Sequence, residues 1–157
     1  IIVGIDINPE CAQHAREGIH VRIGNQSDTA FLASVIEEFG VPDVVLDDAS
    51  HHMKPTWDTF EFLYPKVPKN GVYMVEDMHT SYWPKWGGGL NEENSFINKC
   101  KKLIDELNAD HTKGELEPTE FTRTTESIAF YDSMVVFEKG NVWWKKGFRT
   151  GDGHTPR

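Results

Sequence analysis

Over its first 77 residues the chain alternates four short β-rich apolar runs with three stretches of helical spacing, and three of the four runs end in acids. Ile1-Ile2-Val3-Gly4-Ile5 ends at Asp6, Asp43-Val44-Val45-Leu46 ends in Asp47-Asp48, and Val72-Tyr73-Met74-Val75 ends in Glu76-Asp77. The remaining run, Val21-Arg22-Ile23, gives onto Gly24-Asn25-Gln26-Ser27-Asp28. Asn8-Pro9 predicts an N-cap and first helical residue for a short helix over Glu10 to Glu17, stopped at Gly18. Ser27 or Asp28 caps the next helix, whose apolar face is Phe31, Leu32, Val35, Ile36 and Phe39 before Gly40, and Trp57, Phe60 and Leu63 give a third helical face starting near Pro55. Strand and helix in strict alternation predict an α/β domain: a Rossmann-like parallel sheet with right-handed crossovers and helices on both faces. The uninterrupted apolar run before Asp47 predicts a strand buried on both faces.

After this half, Gly87-Gly88-Gly89 reads as a mobile loop, and Phe96, Ile97, Cys100, Leu103, Ile104 and Leu107 lie on one face of a further helix. Residues 111 to 125 are polar and show no period. Ser127 to Tyr131 and Met134 to Glu138, parted by Asp132-Ser133, predict a closing hairpin. The expected domain therefore spans 1–140, followed by a tail, 141–157, that carries Trp143 and Trp144 and whose last ten residues are expected to be disordered or docked on a neighbour.

A chain of 157 residues is long enough to bury a sizeable core, about 70% of its unfolded surface. Twenty-five acidic against 16 basic side chains give a net charge of −9, which disfavours nucleic-acid phosphates and anionic lipid. No apolar run approaches the roughly 20 residues of a membrane span and the first residues lack a signal-peptide pattern, so the expected location is cytoplasmic. Cys11 and Cys100 are far apart with no CxxC spacing, and both read as packing residues.

In an open α/β sheet the carboxyl ends of parallel strands line one crevice where ligands bind, so Asp6, Asp47, Asp48, Glu76 and Asp77 are expected to share it. Asp48 and Asp77 are 29 residues apart, about one βαβ unit, and should leave neighbouring strands. Carboxylates so placed repel unless a cation lies between them, and an oxygen-rich set suits Mg²⁺, Mn²⁺ or Ca²⁺; the alternative is solvated strand-end acids serving as caps. His51, three residues beyond Asp48, stands where an imidazole can act as a general base. Asp6 has the position from which an acid grips two ribose hydroxyls, and Gly24 to Asp28 offers groups for an adenine edge or, equally, a capping loop.

Together Ile5-Asp6, Gly24-Asn25-Gln26-Ser27-Asp28, Val45-Leu46-Asp47-Asp48-Ala49-Ser50-His51 and Val75-Glu76-Asp77-Met78-His79-Thr80-Ser81-Tyr82-Trp83 resemble class I S-adenosylmethionine-dependent methyltransferases. They are most similar to the metal-dependent sugar O-methyltransferases of macrolide biosynthesis, from Ile1 to about Gly140. The resemblance implies a seven-stranded sheet with an antiparallel last strand, and S-adenosylmethionine and Mg²⁺ as cofactors. It implies that Asp6 holds the ribose, that Asn25, Gln26 and Ser27 lie by the adenine, and that Asp47 lies near the methionine end. Asp48, Glu76 and Asp77 would hold Mg²⁺, His51 would be the catalytic base, and Tyr82 and Trp83 would wall the pocket of a sugar or similar small-molecule acceptor, although as aromatics they equally suit a core.

The family's first strand and Gly-rich loop precede the segment that resembles Ile1, and that strand lies between those beginning here at Ile1 and Asp43. The chain therefore reads as a partial methyltransferase domain whose unpaired edges favour a homodimer. Two alternatives stay open: an inactive methyltransferase-like module for binding or oligomerisation, and an enzyme of the cephalosporin-hydroxylase type.

Overall fold

The computed structural model describes residues 1–141. Residues 142–157, with Trp143, Trp144 and nearly all of the expected tail, lie outside the described residues. Strand β1 (Ile2–Asp6) pairs in parallel with β2 (Ile19–Ile23). A second sheet consists of β3 (Val44–Asp47), β4 (Val72–Val75), β5 (Thr125–Tyr131) and β6 (Met134–Lys139), in the spatial order β3-β4-β6-β5. β3 and β4 are parallel, and β6 runs antiparallel to both of its neighbours. The expected parallel strands and closing hairpin are present. The seven strands implied by the resemblance are six among the described residues, in two sheets, because β1 and β3 do not pair with each other.

Between β1 and β2 the expected helix over Glu10 to Glu17 is a shorter 3-10 segment, Pro9–His14. Asn8 caps it as expected, its side-chain oxygen accepting from the Glu10 amide at 3.0 Å. It ends early because Ala15 is extended and Arg16 turns back to bridge Ile19 around Gly18, whose φ is +75°. Helix α1 (Thr29–Phe39) starts at Asp28, which accepts from the amides of Ala30 and Phe31, and stops at Gly40. Helix α2 (Met53–Leu63) starts two residues before Pro55, and helix α3 (Phe96–Leu107) covers the expected span. The polar stretch 111–125 holds a single-turn helix, α4 (Glu120–Thr124), started by reciprocal Thr119 and Thr122 hydrogen bonds.

Register puts Tyr73 opposite Phe137 and Val75 opposite Val135, so these four side chains share one sheet face, and all are fully buried. Phe60 of α2 lies at the centre of that core, stacked on Tyr64 at 4.8 Å, edge-on to Tyr73 and Phe96, and against Phe137 at 4.7 Å. Each such aromatic pair adds about 0.5–1.5 kcal/mol beyond area burial. β3 departs from the expectation of two-sided burial. Val45 and Asp47 lie on the core face, whereas Val44 and Leu46 are 58% and 53% exposed.

Gly87-Gly88-Gly89 is tied down and does not form a free loop. The Gly88 amide donates to Trp83 O and the Gly89 amide to Ser81 O. A Cβ at Gly88 would stand 2.4 Å from the Ser81 carbonyl oxygen, so only glycine lets the two backbones meet.

Candidate functional site

Because β3 and β4 are parallel neighbours, their carboxyl ends open side by side and bring residues 29 apart in sequence together. The ladder runs one step further, with the Glu76 amide donating to Asp47 O at 3.0 Å. There both chains turn: Asp77 has φ +50° and His51 φ +55°, left-handed conformations that cost a non-glycine residue on the order of 1 kcal/mol. Asp48, His51 and Asp77 each present one ligand atom, all within 4.8 Å of one another. His51 Nε2 is 3.6 Å from Asp77 Oδ2. Glu76, still following the strand, is not one of these three groups.

The Asp77 turn is fastened from two sides. Thr80 donates through its amide and its hydroxyl to Asp77 O, and the hairpin tip of β5 and β6 reaches over, Ser133 O accepting from the Met78 amide and Ser133 Oγ lying 2.6 Å from His79 Nδ1. This clasp could not be read from the sequence, since it joins residues 54 apart.

Asp47 is not part of the three-group cluster. It lies buried beneath it, its carboxyl pushed above the usual carboxylate range by burial, against which the Gln26 side chain, the Ala49 amide and the Tyr73 hydroxyl act. Burial, with the Asp47 charge, in turn pushes the Tyr73 hydroxyl well up. Gln26 turns inward to this group, donating to both Asp47 oxygens at 3.2 and 3.3 Å, whereas the sequence suggests an amide facing an adenine. Asn25 accepts from the Ser27 amide, an Asx turn, and Asp28 caps α1, so the loop is also a capping loop. Asp6 is exposed at the end of β1, and the Asn8 amide, at 2.7 Å from Oδ1, holds its carboxyl below the usual range.

The segment after β4 forms two 3-10 turns, Met78–Tyr82 and Pro84–Trp86. Tyr82 and Trp83 are about half exposed, and Trp83 meets His79 edge-to-face at 4.7 Å. Sequence reasoning missed Trp86, which stands against His52 at 4.7 Å and edge-on to His51 at 6.0 Å. The signal available was its place three residues after Trp83, one 3-10 turn on.

Two carboxylates and an imidazole suit a divalent cation. Ligands about 2.1 Å from a common ion lie at most about 4.2 Å apart, so a group already within 4.8 Å needs only side-chain adjustment to close on one. The same atoms also suit proton transfer, His51 being paired with a carboxylate and only half-buried.

Comparison with known proteins finds relatives in sequence and in fold. The chain is 31% identical over 142 residues to the 8-demethyl-8-alpha-L-rhamnosyl tetracenomycin-C 2'-O-methyltransferase of Streptomyces olivaceus, covering 88% of this chain and 37% of that protein. It is 32% identical over 149 residues to the mycinamicin VI 2''-O-methyltransferase of Micromonospora griseorubida, covering 88% and 36%. The chain is a homologue of these sugar O-methyltransferases. Its fold matches the methyltransferase of the mycinamycin biosynthetic pathway, solved in complex with Mg and SAH, with a TM-score of 0.81 at 29% identity over 89% of this chain and 37% of that one. A further structure of that enzyme, with Mg, SAH and mycinamycin VI, matches with a TM-score of 0.80 at 30% identity over 89% and 36%. This chain thus spans a little over a third of the length of these methyltransferases. No protein-family model matches it.

Proposed function

We propose that this chain carries the metal-binding and acceptor-binding segment, with part of the cofactor site, of an O-methyltransferase that moves a methyl group from S-adenosylmethionine to a hydroxyl of a sugar or similar small molecule. The observation that carries the proposal is the meeting of Asp48, His51 and Asp77 at the ends of adjacent parallel strands. Asp48 and Asp77, with Glu76 beside them, would hold Mg²⁺, which when bound lowers the pKa of an acceptor hydroxyl. S-adenosylmethionine supplies the activated methyl group.

His51 Nε2 takes the hydroxyl proton as the oxygen attacks, and Asp77 Oδ2, 3.6 Å away, stabilises the resulting imidazolium. Asp6, exposed and held by the Asn8 amide and the Cys11 side chain, would take a ribose hydroxyl, with Asn25 and Ser27 beside the adenine and Asp47 toward the methionine end. Tyr82 and Trp83, about half exposed in the turns that follow Asp77, would form the wall on which a sugar packs. The net charge of −9 argues for a neutral acceptor over nucleic acid or anionic lipid. No helix among the described residues is long and apolar enough to cross a membrane, in keeping with a cytoplasmic site of action.

The test is calorimetric titration of S-adenosylhomocysteine into the chain with and without Mg²⁺. Micromolar binding is expected; no heat in either condition, from folded protein, overturns the reading for this chain.

A further inference from the structure

We propose that Gln26 is a positioning residue, the clamp that sets the Asp48–His51 loop against Asp77. Its consequence for metal binding rests on the function proposed above; its geometry does not. Gln26 belongs to the loop after β2, in the two-stranded sheet, yet its side chain crosses to the end of β3 in the other sheet. Nε2 donates to both Asp47 oxygens and, at 3.0 Å, to Thr59 Oγ1 of α2. Oε1 accepts from the Ser50 amide at 2.8 Å. One side chain therefore grips the residue before Asp48 and the residue before His51.

That grip matters because of what lies between the two anchors. Asp48 is exposed, and His51 sits in a left-handed conformation, which persists only where the surroundings fix it. The Thr59 hydroxyl is itself aligned by Pro55 O at 2.9 Å and Gln26 O at 3.1 Å, so the clamp is referred back to the rigid helix α2. The residue type is demanding. Two donors must face a carboxylate and a hydroxyl while an acceptor faces an amide, which an asparagine is one methylene too short to span and a glutamate, lacking donors, would oppose with a second charge beside Asp47. With both N–H groups of its amide committed inward, Gln26 serves the metal loop and leaves recognition of the adenine edge to its neighbours.

The experiment compares the wild-type chain with Gln26→Met, which fills similar space without hydrogen bonds, and with Gln26→Ala. Amide hydrogen exchange is followed by NMR, and binding of Mn²⁺, as a paramagnetic probe, by the electron-spin signal of the free ion. In both variants Ser50 is expected to exchange about tenfold faster or more, with the amides of β4 and β6 unchanged, and Mn²⁺ affinity is expected to fall about tenfold. Should Gln26→Ala fail to fold, Gln26→Met carries the same readouts. Unchanged Ser50 exchange overturns the clamp. Faster exchange with unchanged Mn²⁺ affinity overturns its role in the site. If wild type binds no Mn²⁺ while Ser50 is released in the variants, the clamp stands and the metal reading falls.

Discussion

Lys139 closes β6 with its ammonium buried, donating to Thr124 Oγ1 at 2.9 Å and lying 4.6 Å above the Tyr64 ring. Burial holds its pKa below the usual 10.5, with Glu120 acting the other way. A lysine whose folded pKa is depressed binds its proton more weakly in the native state than in the unfolded chain. Its contribution to stability therefore rises as pH climbs from the lowered value toward 10.5. Tyr64, pushed up to about 12 by burial, stays protonated throughout that interval. Lys139→Met keeps the packed stem and removes the buried charge, so its Tm should equal or exceed that of wild type at pH 7. The advantage should then shrink as pH is raised to 10, as read from paired thermal melts. A Tm difference that is flat with pH would show that the ammonium is not held at a cost. Lys139 illustrates what composition conceals: in the sequence it is one charge in Glu138-Lys139-Gly140, and it turns inward because β6 runs on through it, two residues past Phe137 on the same face.

The site is built by elements of very unequal legibility. β3, β4 and α3 could be read because apolar runs and helical spacing are properties of consecutive residues, and the 29-residue spacing of Asp48 and Asp77 then placed both at one edge. α4 was illegible because a helix of five residues makes little more than one turn and so has no period. The turns at Met78–Tyr82 and Pro84–Trp86 follow no repeat either, and the clasp on Asp77 depends on Ser133, in a hairpin far along the chain. Gly88 was misread as mobile because three glycines in a row carry no sign of what their backbone touches. Its neighbours are the carbonyls of Ser81 and Thr80, at 2.4 and 2.7 Å from where a Cβ would be. Gly88→Ala should therefore push this backbone apart and destabilise by about 1–3 kcal/mol. For a chain of this size that is a fall in Tm of roughly 2–4 °C for each kcal/mol, with a shift in tryptophan emission as Trp83 and Trp86 move. A Tm equal to that of wild type would mean that the glycines are not required for the close approach.

At the scale of the whole molecule, each of the two sheets ends, among the described residues, in a strand paired on one side only. These are β1 and β3, and Ile2, Val44 and Leu46 along them are 62%, 58% and 53% exposed. Unpaired strand edges carry free amides and carbonyls that accept another strand, and protective devices such as lysine or proline are absent from Ile2–Asp6 and Val44–Asp47. Gln26, reaching from one sheet to Asp47 and Ser50 in the other, holds the strand ends together but leaves the edges open. A second copy of the chain offers the same two edges, so association is expected to satisfy in a pair what each copy leaves unpaired. Light scattering behind size exclusion should then give twice the 17.9 kDa chain mass, with the fraction of dimer growing with concentration. Substituting lysine for Val44 and Leu46 should return the mass to that of one chain without loss of β4 or β6, since both side chains lie on the face away from Tyr73 and Phe137. A wild-type mass of 17.9 kDa at every concentration would show that the edges are stable unpaired and would remove the homodimer.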